Sequence, residues 1–373
     1  MIQTIHAAVM RAFKQPLAVE SFELPEQLSP GDVLVKVRLA GVCGTDVHLH
    51  KGELKVPLPL IMGHETTATV AAIGAMPDGA PVCDWLGEPL AVSDRVSWTV
   101  GRTCGTCEYC RLYKLPSRCR NRKAYGVNTP CDHPPHLLGG YAQYHHLAAG
   151  TAIFKLADDL PDEAVVGAGC ALVTVVHGYQ RMPIRWGESV VVQGAGPVGL
   201  AAIAVAADAG ARPVIAIGGP AERLSRCRRF GADIVIDIDE VRDPAKRRGI
   251  VLEATRGLGA DMVVECVGHP SAVAEGWELA RDGGRYLVLG QYCDAGPTPL
   301  NPHHITRKEL EITGSYGSEP QHWAMALVFL RARRDRYPFH ELITHRFALG
   351  EVNEALAKVA AWETGKAVIE PNR

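Results

Sequence analysis

The stretch GVCGTDVHLHKG, residues 41–52, sets Cys43, Thr45, Asp46, His48 and His50 within eight positions, between glycines that let the chain bend. Thiolate and imidazole are ligands for a borderline-soft divalent cation, so the first question is what could complete such a site. GHE at 63–65 supplies His64, and GAGCALVT supplies Cys170. Cys43, His64 and Cys170 would give zinc two sulfurs and one nitrogen. A fourth position stays open for water or a substrate oxygen, which is the pattern of a catalytic site. A second grouping is closed. CGTCEYCRLYKLPSRC holds Cys104, Cys107, Cys110 and Cys119 in a C-x2-C-x2-C-x8-C array, four thiolates on a short loop that fit tetrahedral structural zinc. Cys83, Cys131, Cys227 and Cys293 stand alone and read as buried or incidental thiols.

A third constellation is suited to phosphate. Gly194, Gly196 and Gly199 spell G-x-G-x-x-G directly after the apolar run SVVVQ and at the start of a helical run. There the first glycine makes a tight turn, the second admits a pyrophosphate to the backbone, and the third lets helix pack on strand. Free amides at the helix N-terminus meet the phosphates. The acid that usually takes the adenosine ribose 2′-hydroxyl, at the end of the next strand, is here Gly218. Its absence removes a repulsion of a 2′-phosphate, so NADP is not excluded, yet no arginine follows directly to bind that phosphate. Arg223, one helical turn on, could serve either ribose or face solvent. NAD with weak discrimination is the expectation.

At 373 residues the chain is long enough for two domains. Residues 5–40 alternate apolar and polar between proline and glycine breaks, and ETTATVAAIGAM and SDRVSW continue the pattern. The first ~150 residues are therefore expected to be β-rich, with loops at 77–93 and 126–139. From about Val165 the pattern changes. A helix is expected over 162–181. Strand and helix then alternate through SVVVQ, PVGLAAIAVAADAG, PVIAI, AERLSRCRRFGA, DIVID, DMVVECVG and GRYLVLG, as in a parallel sheet covered by helices. Two helices and a short strand, KAVIEP, close the chain. Net charge of −2 with no long basic run gives no electrostatic reason to expect nucleic acid or an acidic membrane, which leaves a small-molecule partner. The N-terminus lacks a secretory pattern and LAAIAVAADAG is too short to cross a bilayer, so a cytoplasmic location is expected, where eleven cysteines stay reduced or bind metal.

The block Cys43, Gly44, Thr45, Asp46 and His48, the His64–Glu65 pair and the four-cysteine lobe strongly resemble the zinc-dependent medium-chain alcohol dehydrogenases, and the likeness covers nearly the whole chain. The departure is the x8 spacing before Cys119, where x7 is common. The resemblance implies an α/β fold: a GroES-like β-rich catalytic domain with the structural-zinc lobe (1–168 and 317–373) and a Rossmann domain (169–316). It implies two zinc ions per chain, a nicotinamide dinucleotide, an alcohol or ketone substrate, and a homodimer or homotetramer. Thr45 would accept the alcohol proton and pass it through the nicotinamide ribose to His48. Asp46 would orient His64, and Glu65 would stand beside the zinc. His50 has no matching role and reads as a solvated loop residue.

A cysteine as third ligand points toward alcohol dehydrogenases proper, since many polyol and threonine dehydrogenases place Glu there. Thr174 matches the residue behind the nicotinamide. Cys266–Gly268 and Leu289–Gln291 would end strands at the carboxyl edge of the sheet, where the nicotinamide half binds. Lys366 falls where a basic residue lies near the pyrophosphate, with an exposed C-terminal lysine as the alternative. GEPLAVSDRVSW, GGPAERL and LGQYCDAGPTPLNPH resemble a branch acting on bulky cyclic secondary alcohols. Two rivals remain: a polyol or amino-alcohol dehydrogenase on the same scaffold, and a non-catalytic nucleotide-binding relative.

Overall fold

The structure, a computed structural model, describes residues 4–373. The chain divides into two compact units. The first comprises the chain up to Cys170 with Ser318–Arg334 and Phe339–Arg373; the second comprises Ala171–Gly317 with Asp335–Pro338. The short return of Asp335–Pro338, which the sequence reading assigns to the catalytic domain, has a packing cause. Tyr337 stacks on Phe230, and Arg336 pairs with Asp208 at 3.2 Å, all within the second unit.

In the first unit one strand, Val33–Val42, is the hub. It is buried along most of its length and pairs with Glu65–Ile73, Lys366–Glu370 and Tyr144–Leu147. The sheet continues outward through Arg95–Trp98 and Ile153–Lys155 on one side and Ile343–Ala348 on the other. A three-stranded sheet, Ala18–Glu23, Thr4–Met10 and Leu60–Ile61, packs its apolar residues (Val9, Met10, Ile61) into a core shared with Leu49 and Tyr141.

The second unit is a six-stranded parallel sheet in the order Ile234–Asp237, Val214–Gly218, Val190–Gln193, Ala260–Glu265, Ala280–Val288, Glu311–Gly314. Its central strands are buried almost throughout, which is why they read as mainly apolar runs. The strand order reverses between Val190–Gln193 and Ala260–Glu265, the switch point outside which a doubly wound sheet binds its ligand. No helix among the described residues is long and apolar enough to cross a membrane.

Several elements differ from expectation. Within GVCGTDVHLHKG, where the sequence reads His50 as a loop residue, the chain forms a helix over Gly44–Lys51. Cys43 caps its start, its amide held by Asp46 Oδ2 at 2.8 Å, and Gly52 at φ +73° ends it. A helix at Pro244–Ala254 and strands at Glu311–Gly314 and Ile343–Ala348 were not legible as such. The helix Asp162–Arg181 is broken at Gly169 (φ 47°, ψ −147°).

Candidate active site and metal centres

The cluster of Cys43, His64, Glu65 and Cys170 forms because three strands and a helix break converge within the first unit. Gly41 lies opposite Glu65 in the antiparallel pair, and Val42 lies opposite Ala367. This register brings Cys43, His64, Glu65 and Lys366 to one end of the sheet. Cys170 enters from the broken helix. Gly169 takes a conformation that side chains rarely adopt, and a Cβ there would sit 2.1 Å from Glu65 Oε1. The Cys170 amide donates to that same oxygen at 2.8 Å.

Potential ligand atoms of Cys43, His64, Glu65 and Cys170 all lie within 4.8 Å of one another. The two sulfurs are 3.6 Å apart. That is far beyond the ~2 Å of a disulfide and close to the ~3.8 Å separating two thiolates on tetrahedral zinc. The donor set therefore fits zinc. Hydrogen bonding between the two sulfurs holds Cys43 below the ordinary thiol range and pushes Cys170 above it, so without a cation the pair shares one thiolate and one thiol. Glu65 is otherwise engaged: one oxygen takes the Cys170 amide and the other is ion-paired to Lys366 Nζ. Burial opposes charge on both members of that pair. Their mutual attraction prevails, so Glu65 sits below the usual carboxylate range and Lys366 above the usual amine range.

The supporting layer is centred on Asp46, which is fully buried. Its Oδ1 lies 3.3 Å from His64 Nδ1, leaving the other ring nitrogen for metal, while Oδ2 accepts from the Cys43 amide at 2.8 Å and the Tyr141 hydroxyl at 3.0 Å. Burial opposes charge on His64, but Asp46 raises its basicity well above the ordinary value, which strengthens it as a ligand. Burial, reinforced by Asp46, keeps the Tyr141 hydroxyl protonated and donating. Thr45 and His48 share one face of the helix, three residues apart. His48 Nδ1 is hydrogen-bonded to the Glu53 carboxylate, and both side chains are partly exposed. His50 is half-buried on the same helix and its Nε2 meets the Gln15 carbonyl oxygen at 2.9 Å, which corrects its reading as a solvated loop residue.

The second cluster holds Cys104, Cys107, Cys110 and Cys119, with sulfur separations of 3.5 Å (Cys104–Cys119), 3.6 Å (Cys107–Cys110) and 3.9 Å (Cys107–Cys119). These again match thiolates on one tetrahedral ion. Amides of Cys104 and Cys107 donate to sulfurs within the loop. Cys119 follows the short 3₁₀ turn Pro116–Arg118, and Lys114 at φ +52° turns the chain within the longer spacer.

In the second unit the glycine turn takes its expected form. Gly194 has φ +111°, Gly196 caps the helix Pro197–Asp208, and a Cβ on Gly199 would lie 1.9 Å from the Gly194 carbonyl oxygen. Gly218 ends its strand, and a Cβ there would come within 2.9 Å of the Ala195 amide. Arg223 is half-buried on the helix Ala221–Arg229, and Thr174 is half-buried on the helix that follows Cys170. Gly268 has φ +79°, Leu289 is buried, and the buried Gln291 Nε2 has no hydrogen-bond partner among the described residues. The turn, the open helix end and this unpartnered amide fit a dinucleotide. Lys366 is neither an exposed C-terminal lysine nor a free cation for a pyrophosphate: it is buried and its ammonium is ion-paired with Glu65.

Residues 29–158 match the alcohol dehydrogenase GroES-like domain family, and residues 197–332 match the zinc-binding dehydrogenase family. The chain is 37% identical over 373 residues to 5-exo-hydroxycamphor dehydrogenase of Pseudomonas putida, covering 99% of each chain. The chain belongs to the zinc-dependent medium-chain alcohol dehydrogenases. It is also 30% identical to a sorbitol dehydrogenase of Halalkalibacterium halodurans, covering 94% of each chain. Among solved structures, an alcohol dehydrogenase from Thermotoga maritima superposes with a TM-score of 0.93 at 34% identity, covering 99% of this chain and 100% of that one.

Within this zinc dehydrogenase, sequence reasoning missed Tyr141 and Gly169. The GGY run at 139–141 held a signal for the first. Gly139 and Gly140 pack against the Ile61 carbonyl and the Thr66 hydroxyl with no room for a Cβ, and Tyr141 itself fills the space beside Gly63. Glycine beside a ligand cysteine was the signal for the second.

Proposed function

We propose that this chain oxidises bulky or cyclic secondary alcohols, or reduces the matching ketones, with NAD favoured over NADP. The convergence of Cys43, His64 and Cys170, with Glu65 withdrawn onto Lys366, is the observation that carries the reaction class. A zinc ion held by these three residues supplies Lewis acidity toward an alcohol oxygen. The chain's own groups do the rest. Asp46 and Tyr141 fix the orientation of His64, Thr45 offers the hydroxyl that accepts the alcohol proton, and His48 delivers that proton toward solvent at its exposed edge. Cys104, Cys107, Cys110 and Cys119 would hold a second, structural zinc.

The preference for NAD rests on charge. The carboxylates of Asp237 and Asp239 stand 3.8 and 3.4 Å from where a Gly219 Cβ would be, beside the strand end that lacks an acid of its own. Negative charge there disfavours a 2′-phosphate. The substrate class rests on likeness to the hydroxycamphor enzyme and on Cys170 as third ligand. The polyol reading has the sorbitol dehydrogenase relative in its favour. A cytoplasmic homodimer or homotetramer belongs to the same proposal, on family likeness alone. A reduction screen with NAD and NADP over primary, aliphatic secondary, cyclic and polyol substrates tests it. The highest kcat/KM should fall on a cyclic secondary alcohol with NAD; a best substrate among sorbitol or threonine analogues would establish the rival.

A further inference from the structure

Glu265 ends one of the two strands at the switch point and is completely buried, with no ion-pair partner among the described residues. A carboxylate in that position must be held by hydrogen bonds, and its donors are all backbone amides. Oε1 accepts from Val267 N and Gly268 N, both at 2.7 Å, and Oε2 accepts from Gly290 N at 3.1 Å. One side chain thus joins two loops that leave neighbouring parallel strands. The main-chain carbonyl of Glu265 adds to this by accepting from Leu289 N at 2.9 Å and from Gly290 N at 3.0 Å, so the Gly290 amide is shared between the carbonyl and Oε2.

The loops are pressed together with no slack. A Cβ on Gly290 would lie 2.5 Å from Gly268 N and 2.6 Å from Glu265 Oε1, and one on Gly268 would lie 2.8 Å from the Gly290 carbonyl oxygen. The Cys266–Val267 peptide also lies against Gly194, the first glycine of the phosphate turn. Gln291, with its unpartnered Nε2, follows Gly290 directly. We infer that Glu265 is a positioning residue that sets the spacing of the Cys266–Gly268 and Leu289–Gln291 loops, and through it the fit of the nicotinamide half of the dinucleotide. This rests on the proposal that the unit binds a nicotinamide dinucleotide.

Glu265→Gln keeps the side-chain volume but turns one acceptor into a donor, which then faces at least one backbone N–H. The loops must part to relieve that contact. The groups expected to take the adenosine end, Gly218 and Arg223, lie outside the set of amides that hold the Glu265 carboxylate and would be kept. The test compares NADH with ADP-ribose, which lacks the nicotinamide, in direct titrations of the purified full-length protein. Glu265→Gln should lose about tenfold or more in NADH affinity, with ADP-ribose within about threefold of wild type. Gly290→Ala, whose methyl would press on Gly268 N and Glu265 Oε1 and so wedge the same loops apart while keeping the carboxylate, should show the same selective loss and serves if the first variant folds poorly. Equal losses for both ligands, or no loss for either, would overturn the positioning role. A wild type that binds neither ligand would instead overturn the dinucleotide reading, and the positioning role with it.

Discussion

Gly169→Ala is a one-methyl change outside the ligand set that should disable the catalytic cluster. Gly169 holds φ 47° and ψ −147°, a region costing about 1–3 kcal/mol for a residue with a side chain. The new methyl would also lie 2.1 Å from Glu65 Oε1 and 2.6 Å from Cδ. Ordinary contact needs at least ~3.4 Å, so the carboxylate must retreat by more than ~1 Å. That retreat breaks the hydrogen bond from the Cys170 amide, worth about 1.5–3 kcal/mol because the acceptor is charged. Together these come to about 2.5–6 kcal/mol against the arrangement that brings Cys170 to Cys43. Elemental analysis of the purified variant should show zinc falling from about two per chain toward one, the cysteine lobe keeping its ion, with turnover lost in proportion. A variant retaining wild-type zinc content and turnover would refute the idea that Gly169 is what admits Cys170.

Cys107→Ser should remove the zinc of the cysteine lobe and lower stability by about 2 kcal/mol or more, roughly 4–8 °C in Tm; an unchanged Tm together with undiminished zinc would refute a structural role. His48→Gln should slow alcohol oxidation about tenfold or more at neutral and lower pH and recover partly at high pH, where hydroxide can take the proton; a profile parallel to wild type would remove His48 from the relay. His145, fully buried and packed edge-on between Trp98 and Tyr125, is pushed down by burial to about 3 from 6.5. The unfolded chain then binds a proton that the folded one refuses. Stability should fall by about 1.4 kcal/mol per pH unit from this residue as pH drops below 6.5, down to about 3. His145→Phe should flatten that slope in denaturant titrations at pH 7 to 5, and an unchanged slope would show that the residue does not titrate on unfolding.

Much of this site was legible because zinc and phosphate constrain local sequence. The four-cysteine array and the glycine turn each lie on one short segment, so spacing alone carries them. Cys43, His64 and Cys170 lie far apart in the chain and were joined by chemical type and family likeness, since no local period links them. The helix Gly44–Lys51 was hidden by its polarity: it places only Asp46 and Leu49 in the interior, so it shows no apolar stripe. The partners of Lys366 and Tyr141 could not be read from the sequence for another reason. Their roles depend on the pairing of Val33–Val42 with the C-terminal strand and on a carboxylate more than ninety residues away, which only the folded sheet supplies.

The most direct measurement concerns Cys43, whose sulfur stands 3.6 Å from that of Cys170. Zinc content, NADH affinity and alcohol-dependent NAD reduction are measured on wild type and on Cys43→Ala. The variant should lose close to one zinc per chain and at least ~10³-fold in turnover, while NADH affinity stays within a few-fold, because the glycine turn is built wholly within the second unit. Near wild-type turnover by Cys43→Ala would contradict the assignment of this cluster as the catalytic zinc site.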